Sequence, residues 1–229
     1  MIELSIDARD YASEAEEQMP LPERLAERIA SAIQSGQMTA GQRVREQDLS
    51  AMFGVSRGPV REALRILEGD GFVEIERHRG AIVTRASPHE TSVAVEMQVA
   101  LFGVAARTVA EKATDEEIGA LAALIERLAE MEADPKATPE QFVNTSLRAT
   151  WMLIHLAGST SLARSIRALR RLTRPDRWIF AMTTKSKQRK ALRQWQSILE
   201  AIEGRNPGRA ESLAKTRVRQ IHKNTSSSA

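Results

Sequence analysis

The stretch Gly54-Val55-Ser56-Arg57-Gly58-Pro59-Val60-Arg61-Glu62-Ala63-Leu64 decides how this chain is read. Gly54-Val55 interrupts a helical pattern, Ser56 suits an N-cap, and Pro59 is tolerated because it falls inside the first helical turn. Val60, Leu64 and Leu67 recur at i, i+4 and i+7, so one face of the new helix turns inward. Arg57, Gly58 and Arg61 lie at its N-terminal end on the opposite face. A recognition helix offers residues so placed to base edges in the major groove, and arginine reads guanine through two parallel hydrogen bonds. The Ser56 hydroxyl and the helix N-terminus both suit a phosphate. Gly58, with no side chain, allows close approach of the backbone. The same spacing also fits two arginines on a solvated face, so the neighbouring segments must decide.

Working outward, Leu25, Ile29, Ala32 and Ile33 predict a helix over 20–35, with Pro22 in its first turn and Gly36 as its stop. Leu49, Met52 and Phe53 form the apolar stripe of a short helix, Glu46 to Phe53. The helix that starts after Ser56 ends at Gly69 and Gly71. Phe72-Val73-Glu74-Ile75-Glu76-Arg77, a turn at His78-Arg79-Gly80, and Ala81-Ile82-Val83-Thr84 read as a small hairpin. Helix, helix, turn, helix, hairpin in about 65 residues is the layout of a winged helix-turn-helix. From Ser87 onward the pattern is helical. Capping-box signatures stand at Ser87/Glu90, Thr114/Glu117 and Thr138/Gln141. Further helices are expected over 139–157, 160–173, 175–184, 187–203 and 207–223. The fold class expected is therefore mostly α. A winged domain spans 20–86 and an all-helical bundle 87–224, flanked by an acidic tail at 1–19 and a polar tail at 225–229.

The chain has 229 residues, no cysteine and a net charge of +3. Without cysteine, disulfides, thiolate metal sites and cysteine nucleophiles are excluded. Residues 1–19 carry a net charge of −5, residues 20–86 a net of +1 with ten arginines and no lysine, and the remainder +7. That balance allows a phosphate-bearing partner without demanding one. No signal-peptide pattern precedes residue 20, and the longest apolar run, Trp151 to Ala157, is too short to span a bilayer. A cytoplasmic location is expected. No nucleophile-base-acid set and no phosphate-binding glycine loop is visible, which argues against an enzyme.

Leu21 to Ala86 resembles the DNA-binding domain of the GntR family of bacterial regulators. The resemblance rests on Gly41-Gln42-Arg43-Val44-Arg45-Glu46-Gln47-Asp48-Leu49-Ser50, on Gly54 to Leu64, on Leu67-Glu68-Gly69-Asp70-Gly71-Phe72-Val73 and on Arg79-Gly80. It implies that Arg45, Gln47, Ser56, Arg57, Gly58, Pro59 and Arg61 form the operator-contacting set. It also implies that His78, Arg79 and Gly80 form a wing tip for the minor groove. Gly58 stands where threonine is commoner, and Gln47 where some relatives carry arginine.

The helical remainder is similar to the FadR-type (FCD) C-terminal domain, through its helix count, Ala157-Gly158-Ser159, and Ile198 to Gly204 before a final helix. That resemblance implies an effector-binding, dimer-forming bundle. Many members hold a divalent metal through one aspartate and three histidines. Those sites fall here on Leu147, Trp151, Trp195 and near Arg217, and leucine and tryptophan cannot replace imidazole as ligands. No metal or other cofactor is expected. Of the four histidines, His155 reads as a packed core residue. Gln98 and Phe102 replace a common arginine and a common glutamate. Gln98, Phe102, Leu147, Trp151, Trp195 and Arg217 are then the candidate effector residues, for a ligand of apolar or aromatic character; alternatively the large side chains fill the space. The basic stretch from Arg164 to Arg193 reads either as a solvated face or as a surface for DNA or the acidic tail. The function expected is a regulator, repressor or activator, that binds a pseudo-palindromic operator as a homodimer and responds to a small molecule. The alternative is a constitutive DNA-binding protein with its sensing cavity filled.

Overall fold

The computed structural model describes residues 20–34, 36–76, 80–84, 88–173 and 182–226. The winged domain comprises α1 (Leu21–Gln34), β1 (Arg43–Val44), α2 (Glu46–Phe53), α3 (Arg57–Gly69), β2 (Val73–Glu76) and β3 (Gly80–Val83). The bundle comprises α4 (Pro88–Lys112), α5 (Asp115–Ala133), α6 (Pro139–Leu156), α7 (Thr160–Leu172), α8 (Lys185–Glu203) and α9 (Pro207–Ser226). The expected 139–157 and 160–173 helices match α6 and α7 to within a residue at each end, and the mostly α class with a small antiparallel sheet holds. Most of the helix expected over 175–184 lies outside the described residues, and 182–184 are turn and bend. His78, Arg79, Ser87 and the acidic tail also lie outside them.

Local chemistry explains the boundaries. Gly54 ends α2 in the left-handed region at φ 67°, where its N–H reaches back to the Ser50 carbonyl, and so makes the tight turn into α3. Thr114 and Thr138 each form a full capping box, with Glu117 and Gln141 respectively. Ser159 and Thr184 cap α7 and α8. The C-terminal end of α5 receives the Lys185 ammonium, which donates to the carbonyls of Met131, Glu132 and Asp134 at 2.8–3.0 Å. Helix-end carbonyls such as those of Met131 and Glu132 lack an intrahelical N–H partner, and the Asp134 carbonyl also accepts from the Ala137 N–H.

The sheet carries a strand that sequence periodicity does not reveal. Two-residue β1 pairs antiparallel with β3, Arg43 opposite Ile82 and Val44 opposite Ala81, giving the order β1-β3-β2. Val44 and Ala81 are buried. Gly80, at φ 89°, sits where a Cβ would lie 2.7 Å from the Val44 carbonyl oxygen. Glycine therefore satisfies both the backbone angle and the close approach of the two strands.

Leu25, Ile29, Leu49, Val60, Leu64, Leu67, Phe72 and Val83 belong to one core beneath the winged domain. Met52 departs from the expected stripe: it is 63% exposed, while on the same short helix Leu49 is buried and Phe53 packs at the margin of the core. The partner Phe53 lies half-buried under the Arg28 guanidinium, 5.1 Å from its ring centre. The bundle has its own core, with Phe102, Phe142, Leu153, Trp195 and Ile202 at or below 1% exposure. Helix α4 runs through it. His89–Lys112 is long and apolar enough to cross a membrane, beyond what the Trp151–Ala157 run allows; half of its apolar window is buried in the bundle. The two units meet where α7 touches α1: Leu172 packs against the winged core and Arg167 lies 3.8 Å from Glu23.

Candidate nucleic-acid interface and bundle interior

Helix α3 has the division of faces that its sequence implies. Val60 and Leu67 are 0% and Leu64 2% exposed, so the apolar side is fully seated. Ser56, Arg57, Gly58 and Arg61 are exposed, and Pro59 is half-buried. Ser56 occupies the N-cap in extended geometry, but its side chain makes no capping bond. Arg45, at the N-cap of α2, and Gln47, in its first turn, are exposed as well. Arg45, Gln47, Arg61 and Gly80 line one broad groove of about 1080 Å³ between α3 and the sheet, together with Arg43, Arg65 and the acids Glu46 and Glu76.

Arg61 is held in that groove. Its Nε and Nη2 donate to Glu46 Oε1 and Oε2, each at 3.0 Å. The bonds and the opposite charge keep the Glu46 carboxyl below the usual carboxylate range and raise the Arg61 guanidinium. An arginine carries five N–H groups in a planar fork. With one edge on Glu46, the end formed by Nη1 and the second Nη2 hydrogen is left to face a base. No local pattern signals this pairing, because Glu46 and Arg61 are 15 residues apart.

The candidate effector residues divide into separate places. Phe102 and Trp195 pack edge to face, centroids 6.5 Å apart, at 1% and 0% exposure. Trp195 Nε1 donates to Ser146 Oγ at 3.1 Å, and Arg217 Nη2 donates to the same oxygen at 3.0 Å. The Arg217 guanidinium lies over the Trp195 ring at 4.5 Å. Gln98 is buried elsewhere on α4, where it meets His222 Nε2 at 3.0 Å and accepts from Thr173 Oγ1 at 3.3 Å. Trp151 stands apart from Trp195. It is half-buried, and Arg167 and Arg170 lie over its ring at 5.4 and 5.1 Å. Leu147 is a partly buried margin of the core. Parts of the basic stretch are thus engaged with an aromatic face and with α1, and Arg189 pairs with Glu132, so a purely solvated face does not describe it. Burial lowers the Arg170 guanidinium from its ordinary value, and Glu27 opposes that shift.

His155 corrects the sequence expectation. It is exposed near the end of α6, and among the described residues His222 on α9 is the buried histidine, at 5%. Ser146, Gln194 and His222 are not legible as a set in the sequence, since a lone polar residue in an amphipathic helix carries no local signal of its cross-helix partners. Among the described residues, no three His, Cys, Asp or Glu side chains converge as a metal site.

A winged helix-turn-helix with an exposed arginine-bearing recognition helix, followed by an all-helical bundle, defines a bacterial regulatory protein of the DNA-binding class. The chain belongs to the GntR family: the model of "Bacterial regulatory proteins, gntR family" matches residues 21–83, and that of the FCD domain matches residues 94–220. It is 33% identical over 86 residues to the HTH-type transcriptional regulator YdhC of Bacillus subtilis (strain 168), covering 38% of each chain. It is 27% identical over 139 residues to the Nta operon transcriptional regulator of Aminobacter aminovorans, covering 61% of this chain and 65% of that one. The matched stretches thus span less than two thirds of either relative. Among solved structures, E. coli McbR/YncC aligns over 90% of this chain and 99% of its own, with a TM-score of 0.66 at 16% identity, a likeness of fold. The family and these relatives are regulators, not enzymes.

Proposed function

We propose that the chain is a transcription regulator that binds a pseudo-palindromic DNA operator as a homodimer and is switched by a small molecule held in its bundle. The observation that carries the DNA reading is the seating of α3. Its apolar side is buried, while Ser56, Arg57 and Arg61 stay outside, and Arg61 shares a groove with the Gly80 edge of the sheet. In this account Arg57 and Arg61 read base edges, Ser56, Arg45 and Gln47 hold phosphates or bases, and the segment with His78, Arg79 and Gly80 enters the minor groove. Val93 and Met97, four residues apart on one side of α4, are 45% and 51% exposed, an apolar surface suited to a second copy. Two rigidly joined winged domains gain by the effective concentration of the second half-site. No metal is proposed, since Leu147, Trp151, Trp195 and Arg217 supply no imidazole or carboxylate where relatives ligate one. A cytoplasmic location follows from the DNA partner.

The contact of α7 with α1 supports a switch of domain placement, because Glu23 and Leu172 tie the bundle to the first helix of the winged domain. The Phe102–Trp195 pair favours the constitutive reading for any ligand seated between those rings, which already fill each other's space. Sedimentation with and without a selected palindromic duplex tests the proposal: two chains per duplex are expected, and Met97→Glu should dissociate the pair. A monomer that binds the full site as tightly as a half-site would contradict it.

A further inference from the structure

We propose that Trp151 is a positioning residue for the winged domain: with Arg167 and Arg170 laid on its ring, it fixes the placement of that domain on the bundle, and thereby the half-site spacing that a dimer accepts. The spacing part rests on the homodimeric operator reading above. The fixing of placement stands on the geometry of one chain.

The contact joins two matched faces. Glu23 and Glu27 lie four residues apart on α1, and Arg167 and Arg170 lie three apart on α7, so each pair forms one stripe of its helix. Arg167 Nη1 stands 3.8 Å from Glu23 Oε2, with the two side chains at 30% and 33% exposure. The charge of Glu27 acts on Arg170 and favours its charged form against burial. Leu172 closes the contact by packing against the winged core. At the next residue the Thr173 hydroxyl donates to Gln98 Oε1 at 3.3 Å, which ties the end of α7 to α4.

An ion pair partly open to water is a loose tie, because two long side chains must be ordered for a modest attraction. Trp151 does that ordering from α6. Both guanidinium groups lie over its ring, 5.4 and 5.1 Å from the centroid, and the ring is itself half-buried against the bundle core. On the other side, α1 moves as one body with the recognition helix, because Leu25 and Ile29 share a core with Val60 and Leu64. Whatever fixes α1 on the bundle therefore aims α3. Each base pair added between half-sites moves the second site by about 3.4 Å and turns it by about 35°. A rigidly aimed pair of α3 helices thus accepts one spacing, and a loosely aimed pair accepts several.

The chain has no cysteine, so a nitroxide pair can be placed without background. Met52→Cys on α2 and Glu126→Cys on α5, both exposed, report the distance between the two units by pulsed electron paramagnetic resonance. Labelled chain is diluted in unlabelled chain, so that distances within one chain are read. The parent should give one narrow distance. Trp151→Leu should turn it into a broad distribution, Trp151→Phe, which keeps a ring, should restore most of the narrowness, and the surface variant Arg167→Gln should broaden it as well. A width unchanged by Trp151→Leu and Arg167→Gln overturns the proposal, and so does a parent as broad as its variants. Fluorescence anisotropy on duplexes carrying a selected half-site once, or twice at spacings stepped by one base pair, reads the consequence. The parent should favour one spacing, and Trp151→Leu should reduce that preference by about fivefold while its affinity for the single half-site holds. An equal loss on every duplex, or an intact spacing preference beside a broadened distance, refutes the role in spacing. One parent chain per two-site duplex refutes the homodimer reading, and with it the spacing, and leaves the distance measurement to decide the placement.

Discussion

Replacing Glu46 with glutamine should lower sequence discrimination while strengthening attachment to DNA in general. Glu46 holds Arg61 through two bonds of 3.0 Å, and the Arg61 side chain is otherwise 56% exposed. Once released, a long side chain must be ordered when it meets a base, at a cost of about 0.5–1.5 kcal/mol per side chain immobilised. That corresponds to a two- to tenfold loss in specific affinity relative to random sequence. Removing one negative charge from the groove acts in the opposite direction on every duplex, because it strengthens the attraction for phosphate. The ratio of operator to random-sequence affinity should therefore fall by about two- to tenfold, while random-sequence affinity itself rises. The assay is fluorescence anisotropy on a selected operator and a scrambled duplex at one fixed salt concentration. An unchanged or increased ratio would refute the argument that Glu46 aims Arg61.

Other consequences follow from the same structure. The Glu46 carboxyl is depressed by Arg61, so the pair's contribution to stability is complete above the ordinary glutamate range and is lost as pH falls through the lowered value. A carboxyl-detected NMR titration should place the Glu46 midpoint below that of exposed glutamates, and Arg61→Ala should return it to normal. Gly80→Ala combines a positive φ with a 2.7 Å approach to the Val44 carbonyl. It should destabilise the winged domain by about 2–4 kcal/mol in chemical denaturation and weaken operator binding. Lys185→Ala removes the ammonium donor from the carbonyls of Met131, Glu132 and Asp134, of which Asp134 keeps the Ala137 N–H, and should cost about 1–2 kcal/mol, seen as a lower denaturant midpoint.

Much of the architecture was legible because short-range rules set it. The α3 stripe, the Gly54 turn and the Thr114 and Thr138 capping boxes are written within a few residues of each boundary, and the helices stand where those signals put them. What escaped the sequence depends on partners far along the chain. Strand β1 is two residues long and exists only by pairing with β3, so it leaves no alternation to detect. The clasp of Glu46 on Arg61 and the knot of Ser146, Trp195 and Arg217 join different elements. His155 is exposed against the expectation of a packed residue, because helix identity does not say which side of a bundle a residue meets. A family register groups Trp151 with Trp195, yet one stacks under α7 arginines and the other lies in the core.

The most direct test of the central claim is a binding titration of Arg57→Ala and Arg61→Ala against a selected operator and a random duplex of equal length and salt. Each variant should lose roughly five- to 150-fold on the operator and much less on random DNA, with folding unchanged, since both side chains are exposed. Full-strength operator binding by the double variant would contradict base readout by α3, and so would equal losses on both duplexes.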